Sequence, residues 1–301
     1  MAAGAPVATS QFEWAVQTRG RQWPRRAAHL AKEHPLGVFG LAVLLLFVFL
    51  GLFGPAIAPY DPRELQVGKP LSGPSMDHPF GTNQLGQDVF SRVIAGARIS
   101  LIIGSTSVFL GAGVGALLGM VAGYYGRWVD YVVQRSSEAF AAFPALVLYF
   151  LLIAAFGQGP KTIVLAIGIG ALFSGNRVLR GATIVEARST YVEAARAVGC
   201  SEPRIFFRHV VINVLPLTVV IMSGALGAAI LAESALAFLG LGVEPGTPSW
   251  GIDMSGQNQS FARLGHWHLV LFPGIAISLV VLAANLLGDS LRDIWDPRLR
   301  R

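Results

Sequence analysis

The sequence predicts an all-α, polytopic membrane protein of about six transmembrane helices with N and C termini in the cytoplasm. Three observations carry this reading. Of the 301 residues, 53% are hydrophobic and only 13% charged, with a mean hydropathy of +0.57, whereas soluble domains carry about 25% charged residues. Apolar runs of about 20 residues recur, and at a rise of about 1.5 Å per residue each is long enough to cross a hydrocarbon core of about 30 Å. Lys and Arg fall between those runs with a bias to one side of the membrane, which sets orientation.

Residues 1–35 form a polar N-terminal segment whose cluster Arg19, Arg21, Arg25, Arg26 and Lys32 holds this end in the cytoplasm. Residues 36–58 make the first span. Its apolar run is too long for the core of a secretory signal, and Pro59 directly after Ala56-Ile57-Ala58 disfavours cleavage, so an uncleaved span is expected. Residues 59–98 read as an extracytoplasmic loop, rich in Pro and Gly, that ends in an interfacial helix. Asp88 caps that helix and Val89, Val93, Ile94 and Ala97 share a face.

Residues 99–290 form a core of five further spans. The second runs over 99–122, and in it Gly111, Gly115, Gly119 and Gly123 recur at every fourth residue. That spacing makes a flat ridge on which another helix can approach closely. A phosphate-binding loop is excluded, because no Gly-Lys-Ser/Thr follows and the glycines lie inside an apolar run. The third span, 131–156, carries Arg135 and Glu138 three apart on one face and Pro144 further in, which predicts a kink. The fourth, from 162 to 173, continues as helix to Arg177 and Arg180. The fifth covers 212–239, an outer loop 240–265, and the sixth span 267–288. Residues 291–301 form a mixed-charge cytoplasmic tail. In this arrangement every Lys and Arg lies inside except Arg63, Lys69, Arg92, Arg98, Lys161 and Arg263.

The longest polar interruption in the second half is the loop 186–211, with Leu215-Pro216 beyond it. Its density of charge, including Glu186, Arg188, Glu193, Arg196, Glu202, Arg204, Arg208 and His209, requires water. Tyr191 to Val198 reads as a helix, with Ala194, Ala195 and Ala197 costing no side-chain entropy and Glu193 one turn from Arg196. Gly199 ends it as a left-handed cap. Ser201 then caps a second, short helix with Glu202 and Pro203 in its first turn. That helix presents Ile205, Phe206, Phe207 and Val210 beside Arg204 and Arg208, an amphipathic surface suited to touching another protein.

Glu233 is the one carboxylate well inside a predicted span. Two readings stand for it: it lines a translocation path and meets a substrate amine, or it pairs structurally near the outer end of its helix. His266-Trp267-His268 reads as interfacial anchoring rather than a metal site, because residues two apart on a helix point to different sides. The single cysteine, Cys200, excludes an internal disulfide and a cysteine-based metal cluster. The net charge of +6 and pI near 9.9 come from basic residues between apolar runs, not from a basic-aromatic patch on a soluble domain, so no nucleic-acid partner is expected. No catalytic serine, histidine and acid set, no paired catalytic carboxylates and no metal-ligand spacing survives the topology.

Glu193-Ala194-Ala195, three residues, then Gly199, followed by a basic-aromatic helix and a Leu-Pro, resembles the "EAA" cytoplasmic loop of ATP-binding-cassette (ABC) importer permeases. The sequence departs from that family at Ile212, where a proline is common. HPFGTNQLGQDVFSRVIAGARISL is similar to the family's extracytoplasmic turn, with Gln87 where arginine is frequent. LAESALAFLGLGVEPGTPSWG and the tail GDSLRDIWDPRLRR resemble most closely the second (C-type) permeases of dipeptide, oligopeptide and nickel importers.

The resemblance implies a multi-pass permease of the bacterial plasma membrane that is not itself an enzyme. It implies a second homologous permease as heterodimeric partner, two ABC ATPase subunits, an extracytoplasmic binding protein and a lipid bilayer. It implies no cofactor on this chain, with ATP and Mg on the partner subunits, and a coupling role for Glu193, Ala194, Ala195, Gly199, Ser201, Arg204, Ile205, Phe206, Phe207 and Arg208. The expected cargo is di- or oligopeptides, with nickel or glutathione as alternatives within the family. A secondary transporter or channel subunit is the alternative from another class. The former would show several intramembrane acids or matching broken helices, and only Glu233 and Pro144 point that way.

Overall fold

The computed structural model describes residues 32–173, 175–244 and 246–295. The predicted basic cluster at Arg19, Arg21, Arg25 and Arg26, and the tail cations Arg298, Arg300 and Arg301, lie outside them. Helix α1, Pro35–Ile57, is apolar on every side and carries no charge. Its buried residues are Gly37, Gly40, Phe47, Gly51 and Gly54, a line at helical spacing that lets the neighbouring backbones approach.

Helix α2 runs without a break over Val89–Tyr125, 37 residues and about 55 Å. The sequence predicts an interfacial helix that ends before the second span; instead its residues are the first turns of α2. Asp88 caps them, accepting from the Ser91 backbone N–H at 2.8 Å. The physical reason is Arg92. Its charge suggests a water-facing helix, yet it is buried and bonded through Nε and Nη2 to Asp253 Oδ1 at 2.8 and 2.6 Å, so it needs no water. One turn of π-helix, Phe109–Gly113, lies midway along α2.

Helices α3 (Arg127–Ala141) and α4 (Ala145–Phe156) meet at 89°. The expected kink at Pro144 is therefore a full break: Pro144 is extended, with φ −57° and ψ 131°, and starts α4. Helices α5 (Pro160–Leu172) and α6 (Asn176–Glu186) are bent by 45° where one continuous helix was expected. The short helix α7, Thr190–Ala197, follows. Helix α8 spans Glu202–Phe238, and Pro216 sits within it without ending it. Two short helices, α9 (Trp250–Asp253) and α10 (Gly256–Arg263), lie in the outer loop, and α11 covers His268–Trp295. Among the described residues four helices are long and apolar enough to cross a membrane, and up to six spans result if each bent pair counts as one. Among the described residues there is no strand.

The glycine ridge of α2 meets α5 and α6 along its whole length. A Cβ on Gly123 would lie 2.6 Å from the Arg180 carbonyl oxygen, and on Gly111, Gly115 and Gly119 closer still to the carbonyl oxygens of Gly168, Leu172 and Asn176. The two backbones therefore touch with nothing between them. Asp130 of α3 and Arg180 of α6 form a two-pronged ion pair, and Asn176 donates to Ser137 at 2.6 Å, so α3 and α6 are joined as well.

Candidate coupling site

The segment between α6 and α8 folds as a bracket stiffened by its own side chains. Helix α7 ends at a Schellman turn: Gly199 takes φ +83°, its N–H reaches the Arg196 carbonyl at 2.9 Å, and the Cys200 N–H reaches Ala195 O at 3.1 Å. A non-glycine residue at that φ is strained, which is why glycine stands where the chain reverses. The sequence places Arg196 beside Glu193; the structure turns it to Glu202 across the Gly199 turn, with Nε 2.9 Å from Oε1. The Tyr124 hydroxyl donates to Glu202 as well, and the Arg196 guanidinium lies 5.8 Å from the Tyr124 ring centroid. The neighbouring Glu202 carboxylate holds Arg196 more basic than an isolated arginine.

Tyr191 is the second tie. Its hydroxyl donates to Glu186 at the end of α6 and accepts from Asn213 Nδ2 of α8 at 2.8 Å, so one side chain joins three helices. Burial, then the Glu186 carboxylate, push its phenol up, which keeps the hydroxyl proton in place. Sequence reasoning missed Tyr124, Tyr191 and Asn213. Each is isolated in a polar or apolar stretch without periodic signal, and only the meeting of α2, α7 and α8 gives it a role.

The predicted second short helix is instead the start of α8, which continues through a π-helical turn at Phe206–Val210 into the long span. Ser201 makes no side-chain cap. The expected amphipathic face divides. Ile205, Phe206 and Val210 are buried against Ala116, Met120, Leu179, Val192 and Val214 of this same chain, so they anchor the bracket and cannot touch a partner. Phe207, Arg204, Arg208 and Ser201 are exposed, as are Glu193, Ala194 and Gly199, while Ala195 is half-buried behind them. Val198 of the bracket and Val185 on the last turn of α6, which the sequence did not single out, are large apolar residues left open, at 79% and 72% exposed.

Glu233 is fully buried in α8, and its two oxygens accept from three serines: Ser100 Oγ at 3.0 Å, Ser249 Oγ at 3.0 Å and Ser234 Oγ at 3.3 Å. These join α2, α8 and the outer loop. Beside them the Trp250 indole N–H donates to the Val93 carbonyl at 2.8 Å, and Trp250 packs edge-on to Phe47. Contacts of this kind are what the structural reading of Glu233 expects. His268 is also buried, its Nε2 3.3 Å from Thr82 O, and Trp267 is exposed beside it. No group of three or more His, Cys, Asp or Glu able to hold a metal occurs among the described residues.

The chain matches the family model described as binding-protein-dependent transport system inner membrane component over residues 115–301. A second model, the N-terminal transmembrane domain of oligopeptide transport permease C, matches residues 22–74. The chain is 37% identical over 286 residues to a glutathione transport system permease protein of Pectobacterium atrosepticum, covering 95% of this chain and 93% of the relative. It is 36% identical over 276 residues to a dipeptide transport system permease protein of Alkalihalophilus pseudofirmus, covering 92% and 90%.

Proposed function

This chain belongs to the binding-protein-dependent transport system inner membrane component family and is an inner-membrane permease subunit of an ABC importer; we propose that it carries short peptides and is driven by separate ATPase subunits seated on the α6–α8 bracket. The observation that carries the coupling assignment is the division of the bracket into a buried anchor and an exposed tip. Ile205, Phe206 and Val210 lock it to α2 and α6, while Val198, Phe207, Arg204 and Arg208 remain open. A push on the tip has two routes into the membrane. It enters α8 directly, because the helix that begins at Glu202 continues unbroken to Phe238. It enters α6 through Tyr191 and Glu186.

In this reading ATP and Mg reside on two ATPase subunits, and this chain holds no cofactor. A second homologous permease completes the path and an extracytoplasmic binding protein delivers the cargo. The bracket and both termini face the cytoplasm, in line with the bias of Lys and Arg. A peptide cargo follows the relatives, whose names give a dipeptide and glutathione, itself a tripeptide.

Cys200, the chain's single thiol, is half-buried at the Gly199 turn and gives a direct test. A photo-crosslinker is attached there in inside-out vesicles, and captured proteins are identified by mass spectrometry. Capture of a subunit bearing a GxxxxGK[ST] phosphate loop is expected. Efficient labelling of Cys200 in intact complexes with no ATPase captured overturns the docking assignment.

A further inference from the structure

Arg98 is an exposed cation with no partner among the described residues. It lies on α2 where that helix presses against α1: a Cβ on Gly51 would sit 3.3 Å from the Arg98 Cα. Gly51 precedes the end of α1 by six residues, so this point is about 9 Å below the membrane end of α1 on the side away from the bracket. Helix α1 offers no carboxylate. The acids on neighbouring elements are engaged elsewhere: Asp88 with His78 and the α2 N-terminus, Asp253 with Arg92, and Glu233 with its serines. No hydrogen bond or ion pair involves Arg98 among the described residues.

Beside Arg98 the two helices flank a groove of about 270 Å³ lined by Val48, Gly51, Leu52, Leu101, Ile102 and Ser105. An arginine at this depth extends its stem along the apolar wall and lifts its guanidinium toward the headgroup layer. A membrane supplies one kind of molecule that pairs a phosphate at that height with a hydrocarbon tail below it. We propose that the groove between α1 and α2 is a binding site for a phospholipid of net negative charge, its phosphate held by Arg98 and one acyl chain lying along Val48, Leu52, Leu101 and Ile102. The guanidinium fork matches a phosphate in two-point geometry. The apolar walls exclude a soluble anion as the natural occupant. The position of Arg98 away from the bracket, against the bias that gathers most of the basic residues, then has a purpose.

The test uses the whole importer complex in nanodiscs of phosphatidylcholine containing a small fraction of phosphatidylglycerol that carries a photoreactive group on its acyl chain. Adducts are mapped by mass spectrometry. Labelling is expected on the peptides containing Val48–Leu52 and Leu101–Ile102, to fall about fivefold in R98Q, the discrimination one basic side chain supplies at an anionic lipid surface, and to persist in R98K. Unlabelled phosphatidylglycerol should compete; added inorganic phosphate should not. Equal labelling by a photoreactive phosphatidylcholine, unchanged labelling in R98Q, or displacement by inorganic phosphate overturns the proposal. So does a wild-type complex in which these residues are shielded from every lipid probe, which would place the second permease in the groove. If R98Q fails to assemble, the competition arms on the wild type decide alone.

Discussion

Replacing Gly115 by alanine adds one methyl group to the middle of the ridge where α2 meets α5. The added Cβ would fall on the Leu172 carbonyl oxygen, a backbone atom that no rotamer change can move aside. Two effects oppose each other. Alanine gains about 1 kcal/mol over glycine in a helix interior. Overpacking a close-packed contact costs about 1–3 kcal/mol, and an immovable backbone neighbour favours the upper end. The net expectation is a loss of about 1–2 kcal/mol, felt as a lower unfolding midpoint and as separation of α2 from the end of α5 beside the α5–α6 bend.

Gly181 supplies the control. It lies in α6 with nothing within 4 Å of a built Cβ, so Gly181→Ala should be neutral or stabilising by up to about 1 kcal/mol. Both variants are purified in the complete complex and their thermal unfolding followed by intrinsic fluorescence, with peptide uptake measured in proteoliposomes. A Gly115→Ala complex that melts at or above the wild type would refute the close-approach argument, since propensity alone would then have decided the sign.

Gly199→Trp places a bulky residue at φ +83°, with about 1–2 kcal/mol of local strain but open space around it. The protein should insert and assemble while cargo-stimulated ATP hydrolysis no longer drives uptake; normal uptake would remove the coupling role from this turn. Glu233→Gln retains a carbonyl acceptor for the serines and should leave uptake near normal, whereas Glu233→Ala leaves a cavity and three hydroxyls without their acceptor and should cost about 2–5 kcal/mol. Uptake abolished in a stable Glu233→Gln complex would instead establish the path-lining reading. Asp130 and Arg180 are partly exposed, so breaking their pair should cost only about 1 kcal/mol. Transport per ATP should nonetheless drop in either single variant and recover in the swap D130R/R180D, and equal loss in the swap would deny that the ion pair links α3 to α6.

What the sequence determined by itself is what short-range chemistry sets. Apolar length and low charge specified a helical membrane protein, and the α1 run needed no tertiary context to be read as a span. The four-residue glycine repeat of α2 marked a close-packing surface, because only a side chain's absence permits such contact. Gly199 after an alanine-rich turn marked a helix stop, because the left-handed conformation there suits glycine. What only the tertiary structure decided is which charges and apolar groups find partners within the chain. Arg92 counted as a water-facing residue until Asp253, far along the sequence, neutralised it and let α2 begin at Val89. Ile205, Phe206 and Val210 read as a surface for another protein until α2 and α6 covered them. A sequence records that a side chain is polar or apolar, but desolvation is settled by neighbours brought together from distant segments, and those neighbours made the bracket an anchored tip and Glu233 a buried knot of serines.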